Sequence, residues 1–413
     1  MFHRVKLLSA LLLFCLLMSG CNGARETDAV AYVLAVGVDA AADNQLNVTY
    51  LIAIPRALGS GGESGGGEKV VEKVTVKAPS LVEAQTLLNA SVGRAPNLSH
   101  VKIWVVGEKL ARQGLANLIG PLTRFREFRG SMYLVVARGT AKEFIDMNNP
   151  ELELLPSRWA EGVLGISSES GYYLSSQLHD FYVRLKEPGG APCTVLAGIN
   201  PDTGKDKPSA APTLPDRAPG YLPGDIAREG GNPAALAGTA IFKGDKMIGM
   251  LTNVETRMLA ILMGNFPKGF LTLADPRVPE QNIYLLMRLG SAPKIEVSLI
   301  DDVPEINIEV LIECELSSIS SGTNYEADEL RPEIEQQVSK AISLEMKNML
   351  VKTQELEADV VNFGKYLRPK VKNYDEFSAI DWNRLYPQAK IHIKVDAKLR
   401  RTGLMYKTMP IRE

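Results

Sequence analysis

Residues 306–316 read INIEVLIECEL, and residues 391–400 read IHIKVDAKLR. In the first stretch Ile306, Ile308, Val310, Ile312, Cys314 and Leu316 alternate with Asn307, Glu309, Leu311, Glu313 and Glu315. In the second, Ile391, Ile393, Val395, Ala397 and Leu399 alternate with His392, Lys394, Asp396, Lys398 and Arg400. A period of two places every apolar side chain on one side, so each stretch reads as a half-buried strand with a charged outer face. Between them Leu330, Ile334, Val338, Ile342, Met346 and Met349 recur at helical spacing, which predicts an amphipathic helix over 327–350. Two half-buried strands and one long covering helix make a two-layer α+β domain over 291–413. Because the outer rows carry opposite charge, the Glu309, Glu313 and Glu315 strand is expected beside the strand of Lys394, Lys398 and Arg400.

Moving outward, residues 200–224 contain six prolines, too many for regular structure, and read as a linker or long loop. GTAIF and KMIGML then flank Lys243-Gly244-Asp245, a tight hairpin turn, and 253–264 reads as a short helix. These make a middle domain of residues 196–290. Towards the other terminus, AVAYVLAVGV (29–38) and LNVTYLIAI (46–54) read as a hairpin, followed by a glycine-rich loop over 59–68 and a strand over 69–78. Ser80 with Glu83, and Thr140 with Glu143, have the spacing that starts helices. Strands at 101–107 and 131–137 are separated by the helical pattern EKLARQGLANLIGPL. The alternation makes residues 22–195 a mixed α/β domain. The fold class is therefore α+β in three consecutive domains, each a sheet packed with helices.

Residues 1–20 stand apart as a signal peptide. Arg4 and Lys6 precede an apolar run from Leu7 to Leu17, too short to span a bilayer core, and Ser19-Gly20 lead to Cys21. Small residues directly before cysteine are the bacterial lipoprotein arrangement, so Cys21 is the expected lipidation site; an ordinary cleaved signal with a free thiol is the blander alternative. The chain would then be anchored to the membrane by lipid after export. Cys193 and Cys314 remain; a buried free thiol at Cys314 follows from its place on an apolar strand face, and a Cys193–Cys314 disulfide is the alternative in an exported protein, although nothing in the spacing argues for it.

The 413 residues carry 46 Lys and Arg against 48 Asp and Glu, a balance that gives no reason to expect nucleic-acid binding. No phosphate-binding glycine loop, dinucleotide fingerprint, zinc motif or nucleophile elbow appears, so no catalytic residue, metal ligand or cofactor is assigned. His100 has no evident partner. Arg124, Arg126 and Arg129 form a small basic cluster, by default a solvated face and otherwise a contact for anionic lipid or a partner.

One ordered set of residues spans the mature chain. Gly37 and Asp39 lead to Gly93-Arg94 and His100, then Gly107-Glu108 and Gly139. Phe242, Lys246 and Gly249 follow, then Gly364, Trp382 and Gly403. In this order they resemble the Ger(x)C family, the lipoprotein C subunit of spore germinant receptors, although Asn22 stands where that family usually has Trp. The resemblance implies three mixed α/β domains on the outer face of the inner spore membrane. It also implies a non-catalytic role in nutrient-triggered germination, in a complex with two integral membrane subunits, A and B. It carries no ligand-contact set, so no nutrient site is named. A solute-binding lipoprotein of a transporter is the alternative, but the segments flanking the proline-rich stretch show none of the duplication such proteins have.

Overall fold

The computed structural model describes residues 2, 4, 6, 29–54, 70–124, 127–153, 155–166, 171–201, 220–226, 228–403, 405, 407 and 408. Cys21, the apolar run 7–17, the glycine-rich stretch 59–68, Arg126 and most of the proline-rich stretch lie outside them.

The fold begins with β1 (Val30–Ala40), β2 (Leu46–Ala53), β3 (Val71–Ala78), α1 (Leu81–Ser91), β4 (Ala95–Asn97) and β5 (Ile103–Gly107). It continues through α2 (Glu108–Gln113), α3 (Ala116–Arg124), β6 (Tyr133–Ala137), α4 (Ala141–Met147), α5 (Pro156–Gly165), α6 (Leu178–Lys186) and β7 (Cys193–Ile199). Strands β1, β5, β6 and β7 run parallel at the centre of the first sheet, with β2 and β3 antiparallel on one flank. Central strands covered on both faces should be apolar throughout, and β5 and β7 are buried at nearly every residue. The Ser80 and Thr140 side chains accept from the Glu83 and Glu143 amides, starting α1 and α4 where the sequence places them. The single helical run expected after β5 is broken instead at Gly114, whose φ of 127° ends α2. A side chain there would also collide with the Asp245 carboxylate, at 2.5 Å from the Cβ position.

The segment 196–290, expected as a middle domain, divides its strands between two sheets. β8 (Ala234–Lys243) and β9 (Lys246–Leu251) add antiparallel to β7 and complete a nine-stranded first sheet. After α7 (Asn253–Leu262), β10 (Gly269–Ala274) and β11 (Asn282–Leu289) join β12 (Lys294–Ile300), β13 (Val303–Ile319) and a later strand in a five-stranded sheet. The physical reason is edge pairing: β7 leaves a row of unpaired amides and carbonyls that β8 satisfies, as β11 does for β13.

In the second sheet, α8 (Arg331–Glu355) covers the inner face, with Ile334, Val338, Ile342, Met346 and Met349 buried on Ile306, Ile308, Val310 and Ile312. Each such side chain stabilises the fold by roughly 1.5–3 kcal/mol. A 3₁₀ turn (Phe363–Lys370), α9 (Tyr374–Ala379) and α10 (Trp382–Leu385) lead to β14 (Lys390–Arg401). β14 lies parallel to β13 with Glu309 opposite Lys394 and Glu313 opposite Lys398, the neighbour relation the charge rows imply. The ion pairs are Lys394–Glu309 at 3.6 Å, Arg400–Glu313 at 3.6 Å and Arg401–Glu315 at 3.9 Å, while Lys398 turns to Glu335 and Asp396. The outer edge of β14 is closed by α8: Ser339 Oγ accepts from the Ala397 amide and Glu335 from the Leu399 amide.

The apolar core of the second sheet does not stop at its boundary. It runs through α7, which is buried on almost every side, to Cys193, Ile241 and Leu251 on the first sheet. Among the described residues no helix is long and apolar enough to cross a membrane.

Candidate functional site

Two buried carboxylates, Asp39 and Asp359, mark the two places where several of the residues singled out above come together. The first is Asp39, at the C-terminal end of β1. Its carboxylate accepts from the Ala141 amide at 2.7 Å and the Lys142 amide at 2.9 Å, capping α4, where an anion is favoured by the free amides and the helix dipole. Burial pushes its pKa up, against the two amide bonds and the Lys142 charge, which lower it. A Cβ on Gly107 would stand 2.0 Å from Asp39 Oδ1, so only glycine lets β5 end there. Gly37 similarly faces Ile145 and Ala141, with the Cβ position 2.7 Å from Ile145 Cδ1. The Glu108 amide donates to the Gly139 carbonyl, tying the ends of β5 and β6. Gly37, Asp39, Gly107, Glu108 and Gly139 thus form one knot at the C-terminal end of the parallel strands.

The second carboxylate is Asp359, fully enclosed in the connection after α8. It accepts from the Asn362 amide at 2.8 Å, the Gly364 amide at 3.1 Å and Trp382 Nε1 at 2.8 Å. Burial outweighs these donors and pushes its pKa up to about 6. This loop is also where the two sheets' helices and turns meet. The Ala191 amide donates to the Asp359 carbonyl, and Arg184 Nη1 on α6 donates to the Val360 carbonyl at 2.8 Å. Gly364 packs on Gly189 so closely that a Cβ would lie 2.3 Å from the Gly189 carbonyl oxygen. Gly249 on β9 makes a comparable approach to Leu356.

Beside this junction lies a polar cleft of about 470 Å³, lined by His179, Asp180, Arg184, Glu187, Thr194 and Asn362 among others. Asn362 holds a left-handed backbone, φ 67°, and its buried Oδ1 has no hydrogen-bond partner among the described residues. Cys193 is on the cleft wall, 3.7 Å from Arg184 Nη1, and burial raises its pKa, keeping it a neutral thiol. Cys314, pushed up to about 12 by burial, is likewise a free buried thiol. Among the described residues no group of three or more His, Cys, Asp or Glu side chains gathers as a metal site would require.

The remaining signature positions are dispersed. His100 stacks edge-on against Tyr32 at 5.1 Å, near Gly93 and Arg94 at the opposite end of β1 from Asp39. Phe242 is a core residue against Phe181 at 4.9 Å. Lys246 opens β9, and Gly403, with φ 66°, closes on the Leu316 carbonyl. Asp359 itself escapes sequence reasoning, because an isolated Asp after a helix resembles a solvated turn. Its one signal is position, shortly before the Asn362-Phe363-Gly364 run.

Comparison with known proteins also divides the chain in two, but at an earlier point than the sheets do, since most of β8 and all of β9 fall in the C-terminal match. The family description "Spore germination protein N-terminal domain" matches residues 23–200, and "Spore germination B3/ GerAC like, C-terminal" matches residues 237–403. Spore germination protein KC of Bacillus subtilis (strain 168) is 23% identical over 422 residues, covering 98% of this chain and 97% of the relative. Spore germination protein B3 of the same organism is 22% identical over 406 residues, covering 97% and 98%. The crystal structure of the GerBC protein matches in fold with a TM-score of 0.54 at 20% identity, over 89% of this chain and 97% of that one. With both characteristic parts present in order along one chain, the protein belongs to the Ger(x)C family of spore germination proteins.

Proposed function

We propose that the protein is the lipoprotein subunit of a nutrient germinant receptor, held at the outer face of the inner spore membrane by lipid on Cys21. It works by assembling with two integral membrane subunits, A and B, and not by catalysis. The observation carrying this reading is the family match across both sheets, residues 23–200 and 237–403. The architecture agrees with it. Gly37, Asp39, Gly107, Glu108 and Gly139 hold strand ends together, and Gly364 and Trp382 the junction between sheets, as a scaffold for contacts requires. The neutral buried thiols offer no activated nucleophile. Among the described residues the two sheets are unlike, nine strands against five, which supports this reading over a solute-binding protein with two similar lobes.

The test is a deletion strain with affinity purification of the tagged protein from detergent-solubilised spore membranes. Loss of nutrient-triggered germination, with two multi-span proteins co-purifying, is the expected result. Normal germination together with a solute-uptake defect would replace this reading by the transporter one. In the same strain Cys21→Ala should move the protein out of the membrane fraction.

A further inference from the structure

A groove of about 550 Å³ opens where three separate elements meet: the end of α3 with its following loop, α6, and the 3₁₀ turn leading to α9. Its walls include Phe128, Tyr182, Val183 and Tyr374, and its cations are Lys186 and Arg368. Lys186 Nζ lies 5.9 Å from the Tyr182 ring centroid, and Arg368 Cζ lies 5.6 Å from that of Tyr374. Neither cation has a carboxylate at ion-pair distance among the described residues. Val183 and Tyr374 are 41% and 52% exposed, large apolar surface left in water beside unpaired positive charge. Arg124 and Arg129 are exposed on the segment forming one lip, and Lys365 and Lys370 on the turn forming the other. Glu187 is the one carboxylate in the lining, and nearby Glu376 is engaged by the Lys372 amide.

The groove's place in the fold fixes what faces it. The His179 amide donates to the Gly130 carbonyl and the Leu178 amide to the Met132 carbonyl, which puts this lip at the start of β6. β6 is parallel to β5 and β5 to β1, with Tyr133 level with Ile103 and Ala35, so the groove lies on the side of the sheet where β1 begins, five residues short of Val30. Two strand spacings, about 10 Å, and about 17 Å along the strand separate the start of β6 from the start of β1. Eight residues, 22–29, lie between Cys21 and β1, and eight residues reach at most about 29 Å. An acyl chain on Cys21 would therefore keep the start of β1 within about 29 Å of the headgroups, with the Asp39 end of the sheet farther from the anchor.

We infer that this basic, aromatic-lined groove docks on anionic phospholipid at the membrane surface and sets the orientation of the whole chain on it. The inference rests on the reading of Cys21 as the acylated residue for its geometry, but not for its chemistry. Cations attract the anionic headgroups, and the Tyr and Phe rings suit the depth where one end is apolar and the other wet. An acidic partner segment would match the charge too, but the short tether keeps this face within reach of lipid whether or not a partner is bound.

The test uses the mature chain carrying Cys21→Ser, which has no lipid, with phosphatidylcholine vesicles containing or lacking phosphatidylglycerol. Co-sedimentation should depend on phosphatidylglycerol and weaken with salt. Lys186→Glu with Arg368→Glu should lower partitioning at least tenfold, since each basic residue near an anionic surface is worth about fivefold. Arg124→Glu with Arg129→Glu should act in the same direction from the opposite lip. Lys77→Glu, at the far end of the sheet, should leave binding unchanged, and thermal melts of every variant would show that the fold is retained. Equal binding to neutral and anionic vesicles, or anionic binding untouched by both double variants, overturns the inference. Mass spectrometry of the wild-type N-terminus judges the anchor separately. An unmodified Cys21 with intact phosphatidylglycerol binding would remove the anchor and leave the groove.

Discussion

Asp359 accepts three hydrogen bonds in an enclosed site and still has its pKa raised from 3.8 to about 6 by burial. A group raised in the folded state contributes its stability below the unfolded value and loses it as pH climbs through the folded one. The junction around Asp359 should therefore weaken between about pH 4 and pH 6, by roughly 3 kcal/mol if the whole shift is realised. Trp382→Phe takes away a donor that favours the carboxylate. A hydrogen bond to a charged group is worth about 1.5–3 kcal/mol, so the variant should melt well below wild type at neutral pH. The gap should shrink near pH 4.5, where the carboxyl is neutral in both. Equal deficits at the two pH values, measured by calorimetry, would show that Asp359 does not titrate there. Asp39 differs in kind, since it is a helix cap whose partners are backbone amides of α4.

At the scale of elements, the β13–α8–β14 unit was the most legible part of the chain, because its pattern is strictly local. Ile306 to Leu316 and Ile391 to Leu399 repeat with period two, and the apolar faces they predict are the ones turned to α8. Ile308 is 1% exposed and Glu309 points outward to Lys394 at 3.6 Å. Ile308→Asp should unfold this sheet, because an unpaired charge would enter the core. Glu309→Gln should shift the melting point little, since exposed ion pairs contribute about 0–1 kcal/mol. Circular dichroism melts of the two variants separate a packing role from a charge role. The helix after β5 was less legible, because EKLARQGLANLIGPL has continuous helical periodicity. The break at Gly114 follows from Asp245, a residue far along the chain whose carbonyl and carboxylate receive the Leu115 and Ala116 amides. No local pattern reveals a cap supplied from so distant a hairpin.

For the whole molecule, the same distance problem hid the joining of β8 and β9 to the first sheet. Residues 238–251 read correctly as a hairpin, but which edge a hairpin joins depends on which edge is free. Core continuity through α7 then couples the sheets, and the glycine pair Gly189–Gly364 sets their spacing. Gly364→Val places side-chain atoms where the Gly189 backbone lies. Calorimetry should show one cooperative transition in wild type split into two in the variant; a single, unshifted transition would mean the contact is not what couples the sheets. The position of β14 has a different consequence, one of timing. During synthesis β13 is finished long before β14 exists, because α8, the 3₁₀ turn and two short helices are made between them. For that interval β13 offers an open hydrogen-bonding edge and a run of isoleucines, the properties that invite intermolecular pairing. A nascent chain would need a chaperone to bridge the wait, and a chain truncated after Ala389 would never leave it. Such a truncation should be recovered in inclusion bodies or lost to proteases, even though it removes none of the first sheet.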